Sequence, residues 1–178
     1  MEAWNGWYHV NGNTYGTWLR GDPRGWRARH HREHCEGDYR SPPPKGKYHD
    51  LYTTSRGLMR GNPVLLDRSA REVAGRALVE MLDMQGIQVI ALSLDARHYH
   101  ILAKFCDTNV RPIVGRAKKH AYHELRNRGH EGALWATRNR VLPVRNREHQ
   151  VNVFRYIVDH GKRGAWVWTF REGIYWRE

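Results

Sequence analysis

The chain has 178 residues, enough for one domain with a proper core. Its 30 Lys and Arg against 18 Asp and Glu give a formal charge of +12 and a pI near 10.2, which favours a polyanionic partner, nucleic acid first. A membrane role is disfavoured because no long apolar run or basic amphipathic anchor is present, and two cysteines, Cys35 and Cys106, with no CxxC pair, exclude a disulfide framework.

The N-terminal run Met1-Glu2-Ala3-Trp4-Asn5-Gly6-Trp7 lacks the charged and apolar regions of a signal peptide, so a cytoplasmic, nucleoid-associated location is expected. Trp7-Tyr8-His9-Val10 reads as a first strand. Residues 20–63 read as irregular, with Gly-Asp-Pro at 21–23, the run Arg27-Ala28-Arg29-His30-His31-Arg32 and Pro42-Pro43-Pro44. They are expected to form an insertion on a single domain spanning 1–178. His30, His31, His34 and Cys35 are dense enough to suggest zinc, but their spacing matches no closed four-ligand pattern, and a basic, DNA-facing loop is the preferred reading. Aromatic residues stand beside arginine in Trp18-Leu19-Arg20, Trp26-Arg27 and Trp176-Arg177. Such pairs suit base stacking with phosphate contact, and equally suit packing at a core or its rim.

Ser69 and Glu72 form a capping box that predicts a helix start. Val73, Ala77 and Met81, with Ala74, Leu78 and Leu82, make its apolar stripe, and Gly86 ends it. Residues 87–92 form a strand, and 98–105 its hairpin partner. Asp107, Thr108 or Asn109 caps the next helix, with Pro112 in the first turn. Ile113, Ala117, Ala121 and Leu125 supply its buried face; Arg116, Lys118, Lys119, His123, Arg126 and Arg128 supply a basic one suited to a phosphate backbone. Residues 133–144 carry a short strand or extended segment around Leu134-Trp135 and Val141-Leu142. A last helix runs from about Arg147 to Lys162, with Val151, Phe154, Ile157 and Val158 toward the core and His149, Asn152, Tyr156, His160 and Arg163 opposite. The tail, with Trp166, Trp168, Tyr175 and Trp176, is expected to pack back on the domain. This order suits an α+β fold: a ferredoxin-like antiparallel sheet covered on one face by helices.

The chemistry concentrates in two places. His98 and His100 lie two apart on a strand, so they project from one face about 7 Å apart at the backbone. Tyr156 and His160 lie four apart on a helix and share a face. Three imidazoles and a phenol could meet at one metal ion, a kit for cutting a nucleic-acid strand by tyrosine attack. Hydrogen-bonded histidines without metal, and an amphipathic surface tyrosine, are the plainer readings of the same residues.

At these residues the chain resembles the single-tyrosine HUH transposases and the related REP-associated tyrosine transposases. The likeness runs through most of residues 7–168 outside the insertion. It rests on the Trp-Tyr-His-Val strand, on His98-Tyr99-His100-Ile101-Leu102, on the basic helix leading to Leu134-Trp135, and on Phe154-Arg155-Tyr156-Ile157-Val158-Asp159-His160. The resemblance implies a ferredoxin-like (RRM-like) fold. It implies a divalent metal, Mg²⁺ or Mn²⁺, on His98 and His100, with His160 at the third-ligand position and Tyr156 as nucleophile. The implied activity is DNA transposition: single-stranded DNA cleavage and strand transfer through a 5′-phosphotyrosine. Hairpin DNA is the implied substrate, and a homodimer exchanging the tyrosine helix is among the implied assemblies. Two departures stand out: the segment 20–63, and Asp159-His160-Gly161-Lys162 where the REP-associated branch commonly has Asn-Pro.

Three imidazoles suit Mn²⁺ better than oxygen-loving Mg²⁺. Lys104, Arg116, Lys118, Lys119 and Arg145 are the expected phosphate contacts. A replication initiator or nickase using the same chemistry, and a nucleic-acid-binding module without catalysis, are the alternatives.

Overall fold

The computed structural model describes residues 3–26, 41–105 and 109–172. The basic run from Arg27, the His30, His31, His34 and Cys35 cluster, the candidate caps Asp107 and Thr108, and the tail residues Tyr175 and Trp176 lie outside them. The chain divides into two compact units, one of Met1–Thr14 with Val64–Glu178 and one of Tyr15–Pro63.

The larger unit is built on five antiparallel strands. They are β1 (Trp7–Thr14), β2 (Gln88–Leu94), β3 (His98–Lys104), β4 (Trp135–Pro143) and β5 (Trp166–Thr169), in spatial order β4-β1-β3-β2-β5. The first four strands follow the split βαβ order of a ferredoxin-like sheet, as the sequence leads one to expect. The fifth was not expected as a strand: Trp166 to Thr169 pair with Leu94 to Ala91 on the outer edge of β2. Four residues are too few to show a period of two, so the segment reads in sequence only as an aromatic tail.

β1 and β3 are central and paired in register, with His9 opposite Leu102, Asn11 opposite His100 and Asn13 opposite His98. Alternation therefore sends His9, Asn11, His98, His100 and Leu102 to one face, and Val10, Tyr99, Ile101 and Ala103 to the other. The second set meets two helices of the larger unit, Arg68–Met84 and Val110–Arg126, through Ala74, Leu78, Leu82, Val114, Ala117 and Ala121. Tyr99 is fully buried there, its ring edge-on to Trp135 and lying over Gly12 on the neighbouring strand. A β-carbon at Gly12 would come within 2.6 Å of the Tyr99 hydroxyl, so that strand position excludes side chains.

The helix Arg68–Met84 starts two residues earlier than the Ser69 capping box suggests, because Asp67 takes the cap: its carboxylate accepts the Ala70 amide at 2.8 Å. It ends where Gly86 adopts φ +71. On the helix Val110–Arg126, the N-cap is Asn109.

The last helix, Arg147–Asp159, does not join the other two. Val153 and Ile157 pack with Ala91, Leu102 and Val144 in a separate apolar cluster, on the histidine-bearing face. Helices thus cover both faces of the sheet rather than the single face expected. Asn146 caps this helix by accepting the His149 amide at 2.8 Å directly after β4, and Leu102 and Ala91, distant in sequence, offer an apolar seat beside the histidines.

The smaller unit contains a helix, His49–Gly57, in a stretch that reads as irregular in sequence. Asp22 is buried and held by Arg24, whose Nε and Nη2 donate to the carboxylate at 2.8 and 2.7 Å while Nη2 also donates to the Thr17 carbonyl. The same guanidinium lies 4.6 Å over the Trp18 ring. Gly21, at φ +80, is packed against the backbone of Tyr52 so closely that a β-carbon would overlap it. In chain order the helices are numbered α1 (His49–Gly57), α2 (Arg68–Met84), α3 (Val110–Arg126) and α4 (Arg147–Asp159).

Candidate metal centre

The hairpin turn between β2 and β3 sets the first imidazole. Asp95 accepts the backbone amides of Arg97 and His98 through Oδ1 at 2.6 and 2.7 Å, closing the turn. Its other oxygen, Oδ2, lies 2.8 Å from His98 Nδ1. Burial works against the ionised carboxylate, but the His98 side chain and the two amides outweigh it and hold Asp95 at about 2.

Two residues on, His100 is buried and its Nδ1 lies 3.0 Å from Nε2 of His9. The third imidazole comes from the end of α4. His160 is buried, and its Nδ1 donates to the Tyr156 carbonyl one turn back at 2.7 Å. Gly164, at φ +82, then turns the chain into β5.

The three histidines converge. One ring nitrogen from each of His98, His100 and His160 lies within 4.8 Å of the others, the one such group among the described residues. In each imidazole Nδ1 is already engaged, which leaves Nε2. His100 Nε2 is buried without a hydrogen-bond partner. A buried polar nitrogen in that state costs roughly 1–3 kcal/mol unless something completes it. A divalent cation would, and the donor set fits one: imidazoles with their far nitrogens fixed by a carboxylate, a carbonyl and a fourth imidazole. Burial is the main reason His100 and His9 stay neutral. It lowers His100 to about 2, reinforced by His9, His98 and His160 and opposed by Asp95. It lowers His9 to about 4, reinforced by His149, Arg140 and His160.

Tyr156 stands at the edge of this cluster, 48 % exposed on α4. Its ring centre lies 4.7 Å from that of His160, 5.1 Å from His100 and 6.1 Å from His9, all edge-on. The four residues singled out for chemistry in the sequence are therefore neighbours within one chain.

The expected phosphate contacts are scattered. Lys104 shares the histidine face but sits at the far end of β3. Arg145 is exposed in the turn into α4. Arg116 and Lys119 are exposed on α3, across the sheet from the histidines, and Arg116 Nε donates to the Gln85 side chain. Lys118 is buried on the same helix: its amine donates to the Ala136 carbonyl at 2.7 Å, and burial lowers it to about 8. It serves the fold, because it falls four residues after Val114 on the buried stripe.

Sequence reasoning gave no role to three residues that shape the site. Asp95 stands three before His98 in a turn, and His9 lies on the strand paired to β3, so turn chemistry and strand alternation were available signals. Arg140 is exposed on β4 opposite Asn11 and is close enough to His9 to depress it.

No protein-family model matches the chain, and no curated protein matches it. Among solved structures the chain is similar to a REP-associated tyrosine transposase bound to a REP hairpin, with 12 % identity and a TM-score of 0.51 over 92 % of this chain and 71 % of that one. At that identity the likeness is one of fold. None of the helices among the described residues is long and apolar enough to cross a membrane.

Proposed function

We propose that the chain is a metal-dependent enzyme of single-stranded DNA, cutting and transferring strands by tyrosine attack in the manner of an HUH transposase. One observation carries this reading: Tyr156 lies against His100 and His160, two of the three histidines that each bring a ring nitrogen to within 4.8 Å of the others. The fold shared with a hairpin-bound tyrosine transposase supports it, and so does the net charge of +12.

His98, His100 and His160 would hold the ion. A divalent cation there supplies polarisation of the phosphoryl oxygens and offsets charge developing on them. The remaining work belongs to the chain. Tyr156 Oη loses its proton to water and attacks phosphorus. The Oη–P bond forms as the P–O3′ bond breaks, and the departing 3′ oxygen takes a proton from water. The product is a 5′-phosphotyrosine and a free 3′ hydroxyl. The phosphoester is conserved, so a second 3′ hydroxyl can reverse the step elsewhere. Arg140, exposed on β4, and Arg145, exposed in the turn into α4, are suited to the strand's phosphates. Nitrogen donors favour Mn²⁺ over Mg²⁺.

The test is covalent capture. Wild-type protein with single-stranded or hairpin oligonucleotides and Mn²⁺ should give a protein–DNA adduct that survives denaturation, and Tyr156→Phe should give none. Equal adduct from both removes Tyr156 as nucleophile. DNA binding by wild type with no adduct under any metal identifies a binding domain instead.

A further inference from the structure

We infer that His9 is a positioning residue for the metal site: its Nε2 accepts a hydrogen bond from His100 Nδ1 and thereby presents His100 Nε2 to the ion as a lone pair. This rests on the metal reading above and assigns a residue to it from a different strand.

The 3.0 Å contact between the two rings requires one proton between them. Two arrangements are possible. If His9 donates, His100 carries its proton on Nε2, and that N–H is buried with no acceptor. If His100 donates, Nε2 is an unprotonated nitrogen among the converging donors of His98 and His160. The first arrangement leaves a desolvated donor aimed at a cation site. The second makes the orphan atom a ligand. The other two histidines follow the same rule, His98 toward Asp95 and His160 toward the Tyr156 carbonyl. His9 completes the set by doing for His100 what a carboxylate and a carbonyl do for its neighbours.

His9 is suited to this part. It is nearly buried on β1, and its backbone is paired to Leu102, two residues along β3 from His100. Its ring meets His100 at 5.2 Å and 33° and stands 6.1 Å from Tyr156. A neutral partner in this place fixes the tautomer without adding a charge beside the ion. Loss of such outer hydrogen-bond partners typically weakens metal binding about 10–100-fold.

The experiment uses Mn²⁺ alone, titrated into the whole chain and followed by calorimetry. His9→Leu should bind Mn²⁺ about 10–100-fold more weakly. His9→Gln, whose side-chain oxygen can accept where Nε2 does, should recover most of the loss. Long-range ¹H–¹⁵N spectra of the metal-free wild type should show His100 protonated on Nδ1. Leucine and wild type binding alike, glutamine as poor as leucine, or a His100 protonated on Nε2 would each overturn the assignment. If the leucine variant fails to fold, the wild-type tautomer decides. A wild type with the Nδ1 tautomer that takes up no Mn²⁺ refutes the metal reading itself, separately from the geometry of His9.

Discussion

Asp95 and His98 are joined twice, once through the side chain at 2.8 Å and once through the His98 amide at 2.7 Å, so one carboxylate both closes the hairpin and orients its first imidazole. The two tasks use different oxygens. Asp95→Asn can separate them. An amide oxygen in the Oδ1 position still accepts the Arg97 and His98 amides. The amide NH₂ then faces His98 Nδ1 and forces the proton to Nε2. The expected result is an intact fold with Mn²⁺ affinity lowered about 10–100-fold, read by calorimetry beside a thermal melt. Unchanged affinity would show that His98 does not depend on Asp95.

Acid should destabilise the metal-free protein. His9 and His100 titrate near 4 and 2 in the fold, below the ordinary 6.5. A depressed value means the unfolded chain binds the proton first. Stability is therefore fully present above pH 6.5 and falls as the pH drops toward 4. At pH 5 each imidazole removes about 2 kcal/mol or less. Urea unfolding at pH 7.5, 6 and 5 measures this, and a flat profile would contradict the burial of the pair. Asp95, held at about 2, contributes its own loss only below about pH 4, as the pH falls through that value.

A glycine in α2 should resist improvement. Replacing a helical glycine with alanine ordinarily gains about 1 kcal/mol. At Gly75 the added carbon would overlap the Trp166 ring of β5. Overpacking of this kind costs about 1–3 kcal/mol, so Gly75→Ala should be destabilising in chemical denaturation. Trp166→Ala in the same background should remove the penalty. A stabilised Gly75→Ala would mean that Trp166 is not seated on α2.

Lys118 and Lys119 are adjacent and should behave oppositely. Lys118→Ala strips the Ala136 carbonyl of its donor inside the fold, which should cost about 1–3 kcal/mol of stability. Lys119→Ala should change stability by less than about 0.5 kcal/mol. If α3 contacts a phosphate, its salt slope for single-stranded DNA should drop by about 0.7. Unfolding and salt-titrated binding of both variants distinguish the two; a normal melt for Lys118→Ala would return its amine to solvent.

The legibility of this chain follows the range of its interactions. His98 with His100, and Tyr156 with His160, were readable because strand and helix periods fix which neighbours share a face. The pairing of those two sets followed from no local rule; it came from the family resemblance, and the fold brings them together. Lys118 is buried because its position follows the stripe of Val110, Val114 and Ala121, a periodicity that its charge obscures in the sequence. His9 and the placement of α4 depend on strand pairing across some 90 residues, which no single segment encodes. β5 is stabilised by the edge of β2 rather than by its own pattern.

His160 caps α4 one turn after Tyr156, tied to it by the bond from the imidazole to the tyrosine's own carbonyl. The proposed nucleophile and one proposed ligand thus belong to a common rigid body. On the proposed mechanism, a helix that swung a captured DNA end toward a new target would take an imidazole out of the cluster in the same stroke. Carrying the cargo and loosening the ion would then become one event, and excess Mn²⁺ should slow the hand-over without slowing the first cut.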